Sequence, residues 1–184
     1  MSTVQNTALV LRYVQEVLNE GRIESIDLLC AHELLIHVPH LPGVLRGPTR
    51  LKQLVNYNRI IFPDGHVKVE DTIAERDRVS ARGTFRGTYH GAPLERRIAE
   101  KVMPIVLISG IAIFRIEDGK IGEIWHEENF IEALRQLGIP APFPPELALA
   151  RGFGRTRNEV YSRRQLFANA AIANGGQRVL SLAG

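Results

Sequence analysis

The 184-residue sequence predicts an α+β domain in which a curved antiparallel sheet wraps around N-terminal helices, a cone-shaped α+β barrel with a C-terminal helical extension. Two observations carry this. The first sixty residues hold apolar side chains at helical spacing, and from His66 onward the period changes to two. That order, helices and then strands, stacks helices on one face of a sheet. A third observation bounds the answer. With 45% hydrophobic and 23% charged residues the chain is long enough for one sizeable core and too ordinary in composition for wholesale disorder.

The elements follow in order. Val10, Tyr13, Val14, Val17 and Leu18 predict a helix over 7–20, closed by Gly21. Ile23, Ile26 and Leu29 predict a short helix over about 22–31. In ELLIHVPHLPGVLRGP the residues Pro39, Pro42 and Gly43 break regular structure, which predicts a loop carrying His37 and His40. Pro48 suits a first helical position and opens a helix that runs to about residue 61, before Pro63. HVKVEDTIAE, RVSARGTFRGTYH, RIAEKVMPIVLISGIAIFRIE and KIGEIWHEE read as four strands. AERDR and EDGK are tight turns between neighbours, which favours antiparallel pairing. Pro104 predicts a bulge or bend in the third of these strands. NFIEALRQLG forms a closing helix.

The domain is expected to span residues 1–142. A Pro-rich linker beginning IPAPFPPE and a basic, largely helical extension fill 143–184. From Glu146 onward six arginines face two glutamates, a surplus of four positive charges. The chain's net +3 therefore leaves residues 1–145 near −1. The basic character belongs to the extension, so the body carries no nucleic-acid footprint. No apolar run approaches the roughly 20 residues of a membrane helix, and the N-terminus lacks the pattern of a secretory signal. A lone cysteine, Cys30, forms no disulfide within the chain and suits a reducing cytoplasm.

EVLNEGRIESIDLL, LRGPTRLKQLV, IFRIEDGKIGEIW and ALRQLGIPAP, in that order over about residues 5–142, resemble the SnoaL-like polyketide cyclases, of the superfamily of nuclear transport factor 2 and ketosteroid isomerase. The resemblance implies a small barrel, dimeric or tetrameric, that closes rings by aldol chemistry without metal or organic cofactor. It also implies a general acid–base Asp on the strand after DGKI, assisted by a His on the strand before. Lining up FRIEDGKI puts His126 at the Asp position and Ala112 at the His position, so the sequence departs from the family pattern at both.

By strand alternation Ile124, His126 and Glu128 share one face, and Trp125 and Glu127 the other. If His126 faces inward, it and Glu128 are the best acid–base pair in the chain, expected to project into an enclosed apolar chamber. The imidazole takes a proton near neutrality with the carboxylate orienting it, or Glu128 in an apolar setting is the base. A structural pair at the cone mouth fits the same residues. Gly110, Ala112 and Phe114 are expected to make a small, apolar wall, and Asn129 either lines the site or caps the next helix. His37 and His40 are candidate substrate contacts. Their three-residue spacing also suits metal ligands, but no third ligand lies at recognisable spacing. Tyr57 is a candidate donor to a substrate carbonyl, or a core tyrosine with its hydroxyl satisfied. Tyr89 and His90 are expected at the surface.

Two functions fit. One is a cofactor-independent cyclase or isomerase acting on a hydrophobic polyketide- or terpenoid-like molecule, as a homodimer or homotetramer, with no metal, nucleic acid or membrane. The other is a non-catalytic module for small-molecule binding or dimerisation.

Overall fold

The computed structural model describes residues 2–39, 41, 43–91 and 103–139. Helix α1 (Thr3–Tyr13) begins at Ser2, whose hydroxyl accepts from the Gln5 N–H while the Gln5 side chain accepts from the Ser2 N–H. The helix runs on through a π-helical stretch, Val14–Asn19. Val10, Tyr13, Val14 and Val17 form its buried stripe. The short α2 (Ser25–Leu29) buries Ile26 and Leu29.

The loop expected around His37 is a correction. Cys30–His37 is a strand, β1, and Val44–Arg46 a second, β2, paired antiparallel with it. The prolines follow β1 rather than interrupt it. Leu34, Ile36 and Val38 alternate into the core, and their burial holds the strand in place. The expected helix over 22–31 is correspondingly cut short. Helix α3 (Pro48–Ile61) opens on Pro48 as expected and buries Leu51 and Val55.

Strands β3 (His66–Glu75), β4 (Arg78–Thr88), β5 (Ile105–Glu117) and β6 (Lys120–Glu128) form the antiparallel run that the period predicts. Pro104 does not bend β5. It stands just before the strand, where its carbonyl accepts from the Tyr89 N–H. The sheet order is β2-β1-β6-β5-β4-β3. A wholly antiparallel sheet was expected, but β1 lies parallel to β6, with Ile36 beside Ile124 and His37 beside Trp125. The result is a curved, unclosed mixed sheet.

The helices cover one face. Val79, Phe114, Ile116, Ile121 and Ile124 from the sheet meet Val10, Tyr13, Val17, Leu51 and Val55 from the helices in the main core. Helix α4 (Phe130–Gln136) adds Ala133 to a smaller cluster with Val106, Ile108 and Leu137. Two glycines mark close backbone approach within the sheet. A Cβ on Gly83 would meet the Lys68 carbonyl oxygen at 2.6 Å, and one on Gly110 the Glu127 carbonyl oxygen at 2.8 Å. A side chain at either position would push the neighbouring strand away. The extension expected over 143–184 lies outside the described residues.

Candidate functional site

Register places the candidate residues. Pairing of β5 with β6 sets Ala112 beside His126, Gly110 beside Glu128 and Phe114 beside Ile124. Pairing with β4 adds Ala81 beside Ala112 and Gly83 beside Gly110. Paired residues share a face, and Phe114, Ile124 and Ala81 are buried under the helices. His126 and Glu128 therefore stand on the helix side, sharing a face with Ile124 as alternation predicts. His126 Nε2 lies 3.4 Å from Glu128 Oε2.

The two side chains are 43% and 21% exposed, so the pair occupies an open rim rather than an enclosed chamber. Below it the cone is filled. Phe114 packs edge-on against Tyr13, with ring centroids 5.7 Å apart, among Ile36, Val79 and Ile124. Of the expected apolar wall, Gly110 and Ala112 flank the pair, and Phe114 belongs to the closed end. Ala81 and Gly83, one strand further, complete a floor of small side chains. Their signal was legible in the alternation of RVSARGTF but was not read as part of the site.

His37 goes elsewhere. As a β1 strand residue beside Trp125 it points to the outer face, away from His126. Its Nε2 lies 2.7 Å from Glu123 Oε1, and its ring stacks on Trp125 with centroids 5.4 Å apart and planes 8° off parallel. The Arg78 guanidinium lies over the Trp125 ring, 5.2 Å from its centroid. Arg115 also donates to Glu123, at 2.9 and 3.0 Å. Burial works against the charge on Glu123, but the His37 and Arg115 bonds outweigh it and hold its carboxyl below the usual range. A cleft of about 210 Å³ at the end of β1 is nonetheless bordered by both His37 and His126, with Val38, Pro39, Gly43, Trp125 and Glu127 around them. His40 lies outside the described residues.

Asn129 caps α4, its side-chain oxygen accepting from the Glu132 N–H at 3.2 Å. Tyr57 is half-buried on α3, and burial pushes its phenol up. Tyr89 is a correction to a surface reading. It is half-buried and meets Phe62 edge-on at 5.7 Å, and its phenol is raised by burial and then by its neighbour Tyr57. Among the described residues no group of three or more His, Cys, Asp or Glu side chains is placed to hold a metal ion, and no helix is long and apolar enough to cross a membrane.

Residues 8–137 match the family model described as SnoaL-like polyketide cyclase. The chain belongs to the SnoaL-like polyketide cyclase family. Solved structures agree with its fold. A proposed polyketide cyclase from Bacillus cereus ATCC 10987 is 26% identical over 74% of this chain and 83% of its own, with a TM-score of 0.61. IdmH, a proposed polyketide cyclase from Streptomyces antibioticus, is 25% identical over 73% of this chain and 99% of its own, at 0.63. AclR, a proposed hydroxylase from Streptomyces galilaeus, shares the fold at 23% identity and a TM-score of 0.64, covering 81% of this chain and 95% of its own. No curated protein matches the chain. Ala112 and His126 are cross-strand partners in the β5–β6 pair. An alanine here makes room beside an imidazole.

Proposed function

We propose that the chain is a cyclase or isomerase that works by proton transfer alone, on a polyketide- or terpenoid-like molecule held against the small-residue floor. The observation that supports this is the His126–Glu128 contact on the helix side of the sheet, beside Ala112 and Gly110. A neutral imidazole at that rim takes a proton from a carbon flanked by carbonyls, and the Glu128 carboxylate holds the resulting imidazolium. The carbanion attacks a second carbonyl of the same molecule, forming the ring bond. The imidazolium then returns the proton to the new alkoxide. Every atom is conserved, and no oxidant, metal or organic cofactor enters. Tyr57, kept neutral by burial, is the candidate donor to a substrate oxygen.

The test is exchange of the acidic methylene hydrogens of a 1,3-dicarbonyl ester into deuterated water, followed by NMR. The protein should accelerate exchange well above buffer. His126→Ala and Glu128→Gln should each lower the rate about 10²-fold or more, with unchanged melting temperature. Exchange at the buffer rate, or full activity in both variants, removes the acid–base pair. Ester binding without exchange favours a binding module.

A further inference from the structure

The end of β1 leaves a notch in the sheet, outside the filled cone. β1 stops at His37, which pairs with Trp125, while β6 runs on to Glu128. Among the described residues no strand flanks β6 on the β1 side beyond that pairing, and the cleft of about 210 Å³ opens there. A dry cavity of about 150 Å³ admits benzene, so the notch has room for a single six-membered ring.

The His37 imidazole at its border is fixed in two ways. Stacking on Trp125 sets the plane of the ring, and the 2.7 Å bond from Nε2 to Glu123 Oε1 sets its rotation. Arg115 holds Glu123 in turn and also pairs with Glu117. Despite burial, the bonds from His37 and Arg115 keep the Glu123 carboxyl ionised. An ionised carboxylate only accepts, so Nε2 carries the ring proton. In the neutral imidazole the second nitrogen, Nδ1, is then an acceptor. Among the described residues none hydrogen-bonds it.

Glu123 lies back along β6, beside Leu35, whereas the cleft opens at the other end, past Trp125. The two nitrogens of an imidazole point well apart, so a ring that turns Nε2 to Glu123 turns Nδ1 away from it. The exposed Glu127 carboxylate borders the same cleft and is a second acceptor, with Val38 and Pro39 as apolar wall. Two acceptors beside an apolar wall call for a ring that brings its own donors. A cationic donor is disfavoured, because the Arg78 guanidinium over Trp125 and that of Arg115 stand on the same face.

We propose that this notch binds a neutral, hydroxyl-bearing ring, an enol or a phenol. His37 Nδ1 accepts from the hydroxyl, and Glu123 is the positioning residue that fixes the imidazole. Glu127 accepts from a second hydroxyl. The site goes beyond the proposed chemistry and does not depend on proton transfer at His126.

NMR titration of the full chain at pH 8 with resorcinol and with 1,3-dimethoxybenzene tests it. Resorcinol should bind roughly tenfold tighter and shift the His37 ring signals. Nitrogen-15 shifts of that ring should show one tautomer, protonated at Nε2. His37→Phe keeps a ring against Trp125 and should erase the preference. Glu123→Leu should weaken the preference and mix the His37 tautomers. Equal affinity for the two ligands, a proton on Nδ1, or tighter binding of benzylamine than of resorcinol overturns the site. A preference that survives His37→Phe overturns the role of His37. The ligand comparison and the ring spectrum are read on the unaltered chain, so they decide the matter if a variant fails to fold. Hydroxyl preference without hydrogen exchange at the dicarbonyl ester keeps this site and removes the proposed chemistry; exchange without the preference does the reverse.

Discussion

At the scale of single residues, the core holds two titratable groups that the proposed chemistry does not use. Tyr13 is buried against Phe114, and burial pushes its phenol well above the ordinary value. Cys30 is buried where β1 begins, and burial pushes its thiol up to about 12. Both groups are favoured neutral in the fold and ionise more easily when unfolded. Their contribution is full below the unfolded values, near 9 for the thiol and 10 for the phenol, and is lost as pH rises beyond them. Melting temperature should therefore fall steadily above about pH 9. Tyr13→Phe should flatten the part of the decline above pH 10, and an unchanged profile in that variant would show that the phenol is not its source. Cys30 should also resist alkylation at pH 8 in the native protein and react on unfolding. That His126 and Glu128 share a face with Ile124 was legible from alternation, because a side-chain period of two needs no tertiary information; which face that would be was not. Nor was the place of His37. Its direction depends on belonging to a strand at all, and the parallel partner of that strand, β6, is almost ninety residues away in sequence.

At the scale of elements, the β5–β6 hairpin sets the register of the candidate site. Asp118 (φ 47°) and Gly119 (φ 77°) form its two-residue turn between Glu117 and Lys120, both in the left-handed region that such turns require. Aspartate tolerates that region; other side chains do so poorly. Gly119→Val should destabilise the protein by about 1–2 kcal/mol in denaturant unfolding, whereas Asp118→Gly should be nearly neutral or slightly stabilising. Equal losses for the two would mean that the turn does not set the register. This hairpin was readable because Asp-Gly between alternating runs is a strong local signal. Helix α3 was readable for a similar reason, its start marked by Pro48 and its end by the approach to Pro63. β1 was misread because its signals conflict. The prolines that follow it imply a loop, while its apolar alternation is short and starts directly after a helix. Tertiary pairing decides such a segment, and local propensity does not.

At the scale of the whole molecule, the order of helices and strands was sufficient for the fold class, because a sheet with one apolar face has few ways to be covered. The sequence did not disclose how much of the cone would be filled. That depends on Tyr13, Phe114 and their neighbours meeting at depth. Phe114→Ala should therefore cost about 3–5 kcal/mol in unfolding free energy, and a loss below about 1 kcal/mol would contradict the packed closed end.

The insertion of β6 between β1 and β5 also bears on how the molecule is made. During synthesis β1 emerges early, with β2 close behind, but its other lateral neighbour, β6, arrives only after β3, β4 and β5. Until then, Leu34 and Ile36 have no strand beside them on that side, and the β3–β4–β5 meander has nothing to join it to β1. Such distant pairing slows folding. The last of the described strands to leave the ribosome is thus the keystone of the sheet, and the imidazole it carries reaches its station only when the rest of the body can lock.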